Sequence, residues 1–268
     1  MHLFRYMQPE WSRLMAGSTH NTIYMPVFEK LQILLPPICE QYAIAEALSD
    51  VDELLAALEA LIAKKRAIKQ AAMQQLLTGK MRLPGFVAKW EKKKVSEVGP
   101  LQRGFDLPTS DLKPGPYPVV YSNGVLAWHQ EAIVKGPGVV TGRSGTIGNV
   151  HYVEEDFWPH NTSLWVTSFR GNEPKFVYYL YTYLNFARFL SGSGVPTLNR
   201  NDVHQHIVEC PLTVEQRAIT NVLSDMDAEI EALERRREKT GAIKQGMMQQ
   251  LLTGRIRLVK PQPMEAGV

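Results

Sequence analysis

The stretch MQQLLTG occupies residues 73–79 and returns unchanged at residues 248–254. Seven identical residues at a separation of 175 point to a duplicated segment, and the duplication is longer than the phrase itself. Shifted by 175, Pro36–Leu83 aligns on Pro211–Leu258 without a gap. Glu40-Gln41 falls on Glu215-Gln216, Leu48-Ser49-Asp50 on Leu223-Ser224-Asp225, and Ala67-Ile68-Lys69-Gln70 on Ala242-Ile243-Lys244-Gln245. A weaker echo upstream sets Gly17-Ser18 on Gly192-Ser193 and Phe4-Arg5-Tyr6 on Tyr179-Leu180-Tyr181. A period of 175 is too long for a solenoid repeat. Residues 84–175 have no second copy, so the pattern reads as a duplication whose first copy lacks its opening portion.

Each copy carries the signature of a long helix. Ile44, Leu48, Val51, Leu55, Leu58 and Ile62 follow a 4-3-4-3-4 spacing, and Ile219, Leu223, Met226, Ile230 and Leu233 repeat it. Such a seam predicts a coiled-coil helix, because it keeps one apolar stripe facing a partner helix. Pro36-Pro37 fits a first turn, and Thr213 with Gln216 fits a capping box. Gly79 and Gly254 sit where a terminating glycine belongs. From Glu40 to Thr78 the helix would run about 58 Å at 1.5 Å per residue. Two such helices joined by an intervening module pair most simply antiparallel with each other; a second copy of the chain is the other partner that fits. Past Ile62 the frame meets Lys65 and Lys69, so either the seam shifts to Ile68 and Leu76 or another protein covers that half. The basic runs Lys64-Lys65-Arg66 and Arg235-Arg236-Arg237 read either as a solvated face or as a docking or phosphate-facing surface.

Composition narrows the class. A chain of 268 residues with 44% hydrophobic and 21% charged residues can bury a core, and a net charge of +3 does not by itself announce a nucleic-acid binder. Cys39 and Cys210 are too few for a disulfide framework and lack a CxxC spacing, which suits a reducing cytoplasm. No apolar run is long enough to span a membrane, and Met1-His2-Leu3-Phe4-Arg5 lacks the apolar core of a signal peptide.

Between the repeats the pattern turns to short β-branched runs punctuated by glycine, proline and asparagine. Pro118–Tyr121 reads as a strand ending in a Ser122-Asn123-Gly124 turn. Val139–Thr141 and Ile147–Val150 read as strands around Gly142-Arg143-Ser144-Gly145-Thr146, and Ser163–Val166 as a further strand. Lys175–Leu190 reads as one aromatic helix after Pro174, and His204–Glu209 as a short strand. Gly142–Gly148 is the sharpest local signal, since three glycines, an arginine and two hydroxyls let amides and a guanidinium approach an anion. It matches neither a Walker loop nor a dinucleotide fingerprint, and a hairpin needing glycine for its backbone angles explains it equally. Gly194–Asn199 is a polar loop, and His204 with His206 lacks the carboxylate or cysteine companions of a metal site. Tyr178, Tyr179, Tyr181 and Tyr183 read as core and its edge rather than a base-stacking platform. Neither cysteine has a matched base.

A long helix ending in Met-Gln-Gln-Leu-Leu-Thr-Gly, duplicated around a β-rich module, resembles the specificity subunit of type I DNA restriction–modification systems. The approaches Leu35-Pro36-Pro37-Ile38-Cys39-Glu40-Gln41 and Cys210-Pro211-Leu212-Thr213-Val214-Glu215-Gln216 fit as well, as do Ala-Ile-Lys-Gln and the Gly142–Gly148 loop. The resemblance covers nearly the whole chain. It implies an α+β fold: one β-rich target-recognition domain (84–210) flanked by two long antiparallel coiled-coil spacer helices (36–80 and 211–256). Residues 1–35 would be the remnant of a first recognition domain and 257–268 a tail. It implies a cytoplasmic, non-catalytic subunit without cofactor or metal. Its partners would be double-stranded DNA, the methyltransferase subunits and, through them, the restriction subunit, with a homodimer as one way to supply a second recognition domain. The positions it nominates for DNA are Ser122, Asn123, Gly142, Arg143, Ser144, Gly145, Thr146, His160, Asn161, Thr197 and Asn199. The eleven seam residues named above would pair and dock.

Two other readings compete. An adenine methyltransferase acting alone should show an Asp/Asn-Pro-Pro-aromatic motif, and Leu35-Pro36-Pro37-Ile38 has neither the polar nor the aromatic residue. A fragment that docks the methyltransferase without reading DNA remains the alternative.

Overall fold

The computed structural model describes the chain except residues 8–10, 12–14, 16–24, 31, 34, 192–196 and 260–268. The glycine–serine pairs at 17–18 and 192–193, and the first half of the 194–199 loop, lie outside the described residues. The chain divides into two compact units, one of residues 1–66 with 228–268 and one of residues 67–227. Helices α1 (His2–Tyr6), α2 (Met25–Glu29) and α3 (Ile38–Leu76) precede the β-rich region. Helix α4 (Val95–Val98) lies within that region, α5 (Pro174–Leu184) and α6 (Arg200–Gln205) follow, and α7 (Thr213–Leu251) closes the described order.

In the first unit the early part of α3 packs on the late part of α7. Ile44 and Leu48 share a buried cluster with Met248 and Leu251, against Tyr6, Met247 and Leu252. Asp52 meets Lys244 at 2.5 Å and Lys65 meets Glu229 at 2.6 Å, so the register descends along α7 as it rises along α3, an antiparallel pair. Leu58, Ile62 and Ile230 are buried, and Val51, Leu55 and Leu233 half-buried, as the heptad frame requires.

The second unit repeats that packing with the helices exchanged. Ile219 and Leu223 share a cluster with Met73, Leu76 and Leu77. Each of these residues is the 175-shifted equivalent of one in the first unit's cluster or against it. The ion pair repeats too, since Lys69 meets Asp227. Of the shifted seam that the sequence offered past Ile62, Leu76 is buried while Ile68 stays exposed, and Lys65 and Lys69 meet acids of α7, Glu229 and Asp227. Both copies end the helix the same way. Gly79 and Gly254 adopt φ of +69° and +70°, a left-handed turn that favours glycine, and the chain folds back so that Met81 and Ile256 donate to the Gln75 and Gln250 carbonyls.

A buried carboxylate anchors each helix start. Glu215 accepts from Arg82 Nε at 2.5 Å and Nη2 at 2.7 Å, and from the Trp90 indole at 3.1 Å. Its equivalent Glu40 accepts from the Leu258 and Val259 amides at 2.8 Å each, and these bonds, Leu258 first, hold its pKa below the usual carboxylate range. Thr213 and Gln216 do not form the expected capping box. Thr213 donates to the Gly171 carbonyl and Gln216 bonds Asn172, Pro211 and the Glu173 amide, so the pair ties α7 to the preceding loop.

The β-rich part of the second unit holds a four-stranded sheet in the order β2 (Leu101–Arg103), β8 (Ser163–Val166), β5 (Gly138–Gly142), β6 (Val150–Val153). A three-stranded sheet runs β4 (Gly124–His129), β3 (Tyr117–Tyr121), β7 (Trp158–Pro159). Two short ribbons pair β1 (Glu91–Lys94) with β11 (Ile207–Cys210) and β9 (Leu190–Ser191) with β10 (Thr197–Leu198). Tyr179, Tyr181, Phe176 and Phe186 fill the core, which agrees with the tyrosines' reading as core rather than stacking platform.

Three element boundaries differ from expectation. Residues 147–149 are loop rather than strand, because Gly145 and Gly148 take φ of +80° and +98° and β6 begins only at Val150. Helix α5 stops at Leu184, where Asn185 turns left-handed and caps a short 3₁₀ turn over Phe186–Phe189. The expected strand over 204–209 is split: Asn199 caps α6 through Gln205, and β11 starts at Ile207.

Candidate nucleic-acid interface

Strand directions decide where the loops meet. β2 ends at Arg103, β5 ends at Gly142 and β8 begins at Ser163, and the antiparallel registers Arg103↔Leu164 and Gly142↔Ser163 bring those ends together. β7 runs parallel to β3 and delivers His160 beside Val120, whose carbonyl accepts from the His160 amide at 2.9 Å. Four segments distant in sequence, around Arg103, Val120, Gly142 and residues 160–163, therefore gather at one end of the sheets.

Thr162, which the sequence reading passed over, is the centre of this gathering. Its carbonyl accepts from the Arg143 amide at 2.9 Å and the Ser144 amide at 3.2 Å. Its hydroxyl oxygen accepts from the Ser122 amide at 3.4 Å and lies 3.0 Å from His160 Nδ1. The Thr162 amide also points at that nitrogen, at 3.4 Å, so Nδ1 acts as acceptor and the neutral ring carries its proton on Nε2. The ring lies 4.1 Å, centroid to centroid, from Tyr121. Burial holds the His160 pKa below its ordinary value, against the nearby Asp106 charge.

The glycine loop owes its shape to contact as well as to conformation. A Cβ on Gly142 would stand 1.7 Å from the Thr146 carbonyl oxygen, so the loop closes on itself only with glycine there. Gly145 then turns with positive φ, leaving it and Thr146 exposed. Ser144 bridges Thr197, and the Arg143 carbonyl accepts from the Leu198 amide at 2.9 Å. The Arg143 guanidinium donates from Nη1 to the Asn161 carbonyl at 3.1 Å.

Ten of the eleven nominated positions, all but Asn199, thus lie in or against one cluster, with Asn123 on the exposed β3–β4 turn. Asn199 serves the fold: its side chain accepts from the Asn201 amide at 3.0 Å and starts α6. His204 sits on α6 and His206 just after it, one accepting from the Leu101 amide at 2.8 Å and the other 2.8 Å from Arg188. Among the described residues no group of three or more His, Cys, Asp or Glu is placed to hold a metal ion. Cys210 is buried and its thiol pKa is pushed up to about 11 by desolvation, while Cys39 is exposed. No helix among the described residues is long and apolar enough to cross a membrane.

The family model described as the type I restriction modification DNA specificity domain matches residues 1–70 and 88–240. The chain belongs to this family. Its relatives include the MjaVIII type I restriction enzyme specificity subunit of Methanocaldococcus jannaschii, 23% identical across 87% of this chain. A second protein of that organism, named as the MjaX specificity subunit, is 25% identical across 89% of it. The chain spans 62% of the length of MjaX and 64% of MjaVIII. The fold is similar to that of a type I restriction-modification S subunit from M. genitalium, with a TM-score of 0.68 and 18% identity over 94% of this chain and 71% of that one. It is similar also to the HsdS subunit of Thermoanaerobacter tengcongensis, at 0.55 and 14% over 95% and 70%. These likenesses bear out the α+β architecture with a β-rich module and long antiparallel helices.

Proposed function

We propose that the chain reads a short DNA sequence with the loop end of its β-rich module and so directs type I methyltransferase subunits, and through them a restriction subunit, to their site. The observation that carries this reading is the convergence at Thr162. Two arginines, an asparagine, a histidine and three hydroxyls gather on a surface formed by loops, which offers hydrogen-bonding side chains to an extended partner. The names of the relatives point the same way. In this reading recognition falls to residues 84–210 between the spacer helices, and the catalytic step falls to the methyltransferase.

The long helices suit a docking role. Beyond the buried seam, α3 exposes Leu54 and Leu61 seven residues apart, and α7 exposes Ile243. Exposed apolar side chains at heptad spacing on the first unit favour a further helix as partner.

A gel-shift titration tests the proposal, using the full chain with and without its methyltransferase subunits on duplex DNA. Sequence-dependent retention that strengthens with the methyltransferase is the expected result. Methyltransferase binding without any DNA preference would favour the docking-only alternative. Incubation of the chain alone with S-adenosylmethionine and DNA should yield no methyl transfer.

A further inference from the structure

Arg103 closes β2, and Asp106 lies three residues on, in a stretch that runs beside residues 159–163. The Phe105 amide donates to the Pro159 carbonyl at 2.8 Å, and the Gly104 amide to the Ser163 carbonyl at 3.1 Å. Arg103 Nη2 donates to both carboxylate oxygens of Asp106, at 3.1 and 3.4 Å. The same carboxylate accepts from Asn161 Nδ2. Asn161 accepts in turn from Arg143 through its backbone carbonyl. One asparagine and one aspartate thereby connect two guanidiniums in a chain of hydrogen bonds.

Stability does not account for this arrangement. The Arg103 and Asp106 side chains are 50% and 66% exposed, and an ion pair so wet contributes little to folding. A phosphate-binding role does not account for it either, because the Asp106 carboxylate would repel a phosphate beside it. A base edge explains both residues. The carboxylate restrains the guanidinium through one side of Nη2, and the other Nη2 N–H can pair with Nη1, which makes no hydrogen bond among the described residues, as a parallel fork. Guanine presents two acceptors, O6 and N7, to such a fork in the major groove.

We propose that Arg103 reads a guanine, and that Asp106 is the positioning residue that restrains the guanidinium and holds Asn161 beside it. This rests on the DNA-reading role proposed above and adds to it two residues, Arg103 and Asp106, that the sequence pattern did not single out.

The test is selection from a randomised duplex DNA library by the full chain assembled with its methyltransferase subunits. The wild type should enrich a motif with guanine at one fixed position. Arg103→Ala should lose the preference there by about 5- to 150-fold and keep it elsewhere. Asp106→Ala should loosen the same position only, and Asp106→Asn, which retains an acceptor for Nη2, should restore much of it. Both side chains are exposed, so melting curves should match the wild type and exclude a folding effect. An unchanged motif with uniformly weaker binding in Arg103→Ala would make Arg103 a phosphate contact and overturn the proposal. An unchanged motif at unchanged affinity would overturn it as well. A wild-type complex that enriches no motif would remove the DNA reading itself.

Discussion

Lys244 Nζ donates to Asp52 Oδ1 at 2.5 Å, joining the two long helices at a position where both repeats carry the same pair of residues. Its equivalent is Lys69 with Asp227, but the surroundings differ. Asp227 also accepts from the hydroxyl of the buried Tyr179, and Lys69 lies over that tyrosine's ring. Asp52 is a third exposed and neighbours His2 and Arg5. Lys244→Met should therefore cost at most about 1 kcal/mol, as partly solvated pairs do. The Asp227 side chain is 41% exposed, so solvation does not separate the pairs, but Lys69→Met should cost more because it also removes a cation held over the Tyr179 ring, whereas Asp52 keeps Arg5 beside it. Urea denaturation of the two variants checks the order, and equal losses would contradict it.

Leu48 and Leu223 are also equivalents, and neither has any exposed surface. Alanine at either leaves a cavity in a helix–helix cluster and should cost about 2–5 kcal/mol. The damage should be local. Leu48→Ala should speed amide hydrogen exchange in residues 38–66 and 228–251, and Leu223→Ala in residues 67–76 and the β-rich module. Exchange that rises equally everywhere would mean that the two clusters do not report on separate units.

The helices were legible because a 175-residue shift shows the same seam, start and stop twice, and each signal is local in the sequence. Ion pairing at Lys65 and Lys69 was not legible, since their partners Glu229 and Asp227 lie more than 150 residues away. The loop cluster was half legible. Arg143 and the glycines declare themselves by composition, whereas Thr162 acts through its carbonyl and Asp106 through a neighbour brought close only by sheet register. Strand limits failed where one residue decided them. Asn185 turning left-handed ended α5, and Asn199 capping Asn201 made a helix of residues read as strand.

His204 makes the second unit acid-sensitive. Burial and the nearby Arg200 hold its pKa below the ordinary value, and its Nε2 must keep a lone pair to accept from the Leu101 amide. The unfolded chain then binds the proton at higher pH than the folded one, so this contribution is present above the unfolded value of about 6.5 and is lost as pH falls below it. The urea midpoint should drop between pH 7.5 and pH 5. His204→Gln, which retains an acceptor but does not titrate, should flatten part of that drop. An identical pH profile in His204→Gln would show that the other histidines with lowered pKa values, His2, His151, His160 and His206, carry it.

Arg143→Ala separates the fold of the glycine loop from its proposed contact with DNA. The loop backbone is held without the side chain, by the Arg143 and Ser144 amides on the Thr162 carbonyl and by the Leu198 amide on the Arg143 carbonyl. Removing the guanidinium costs one hydrogen bond, to the Asn161 carbonyl, and leaves those three in place. The variant should therefore melt close to the wild type. Its loop carries Ser144 and Thr146 hydroxyls and the exposed Gly145, groups that suit a phosphate oxygen. Loss of one phosphate contact weakens binding by a similar factor on every sequence and lowers the slope of log K against log salt by about one unit. Fluorescence anisotropy over a salt series, on the selected motif and on a scrambled duplex, reads both quantities. A loss confined to one base position would instead make Arg143 a base reader beside Arg103. Unchanged affinity with an intact melting curve would return the three glycines to a purely conformational role.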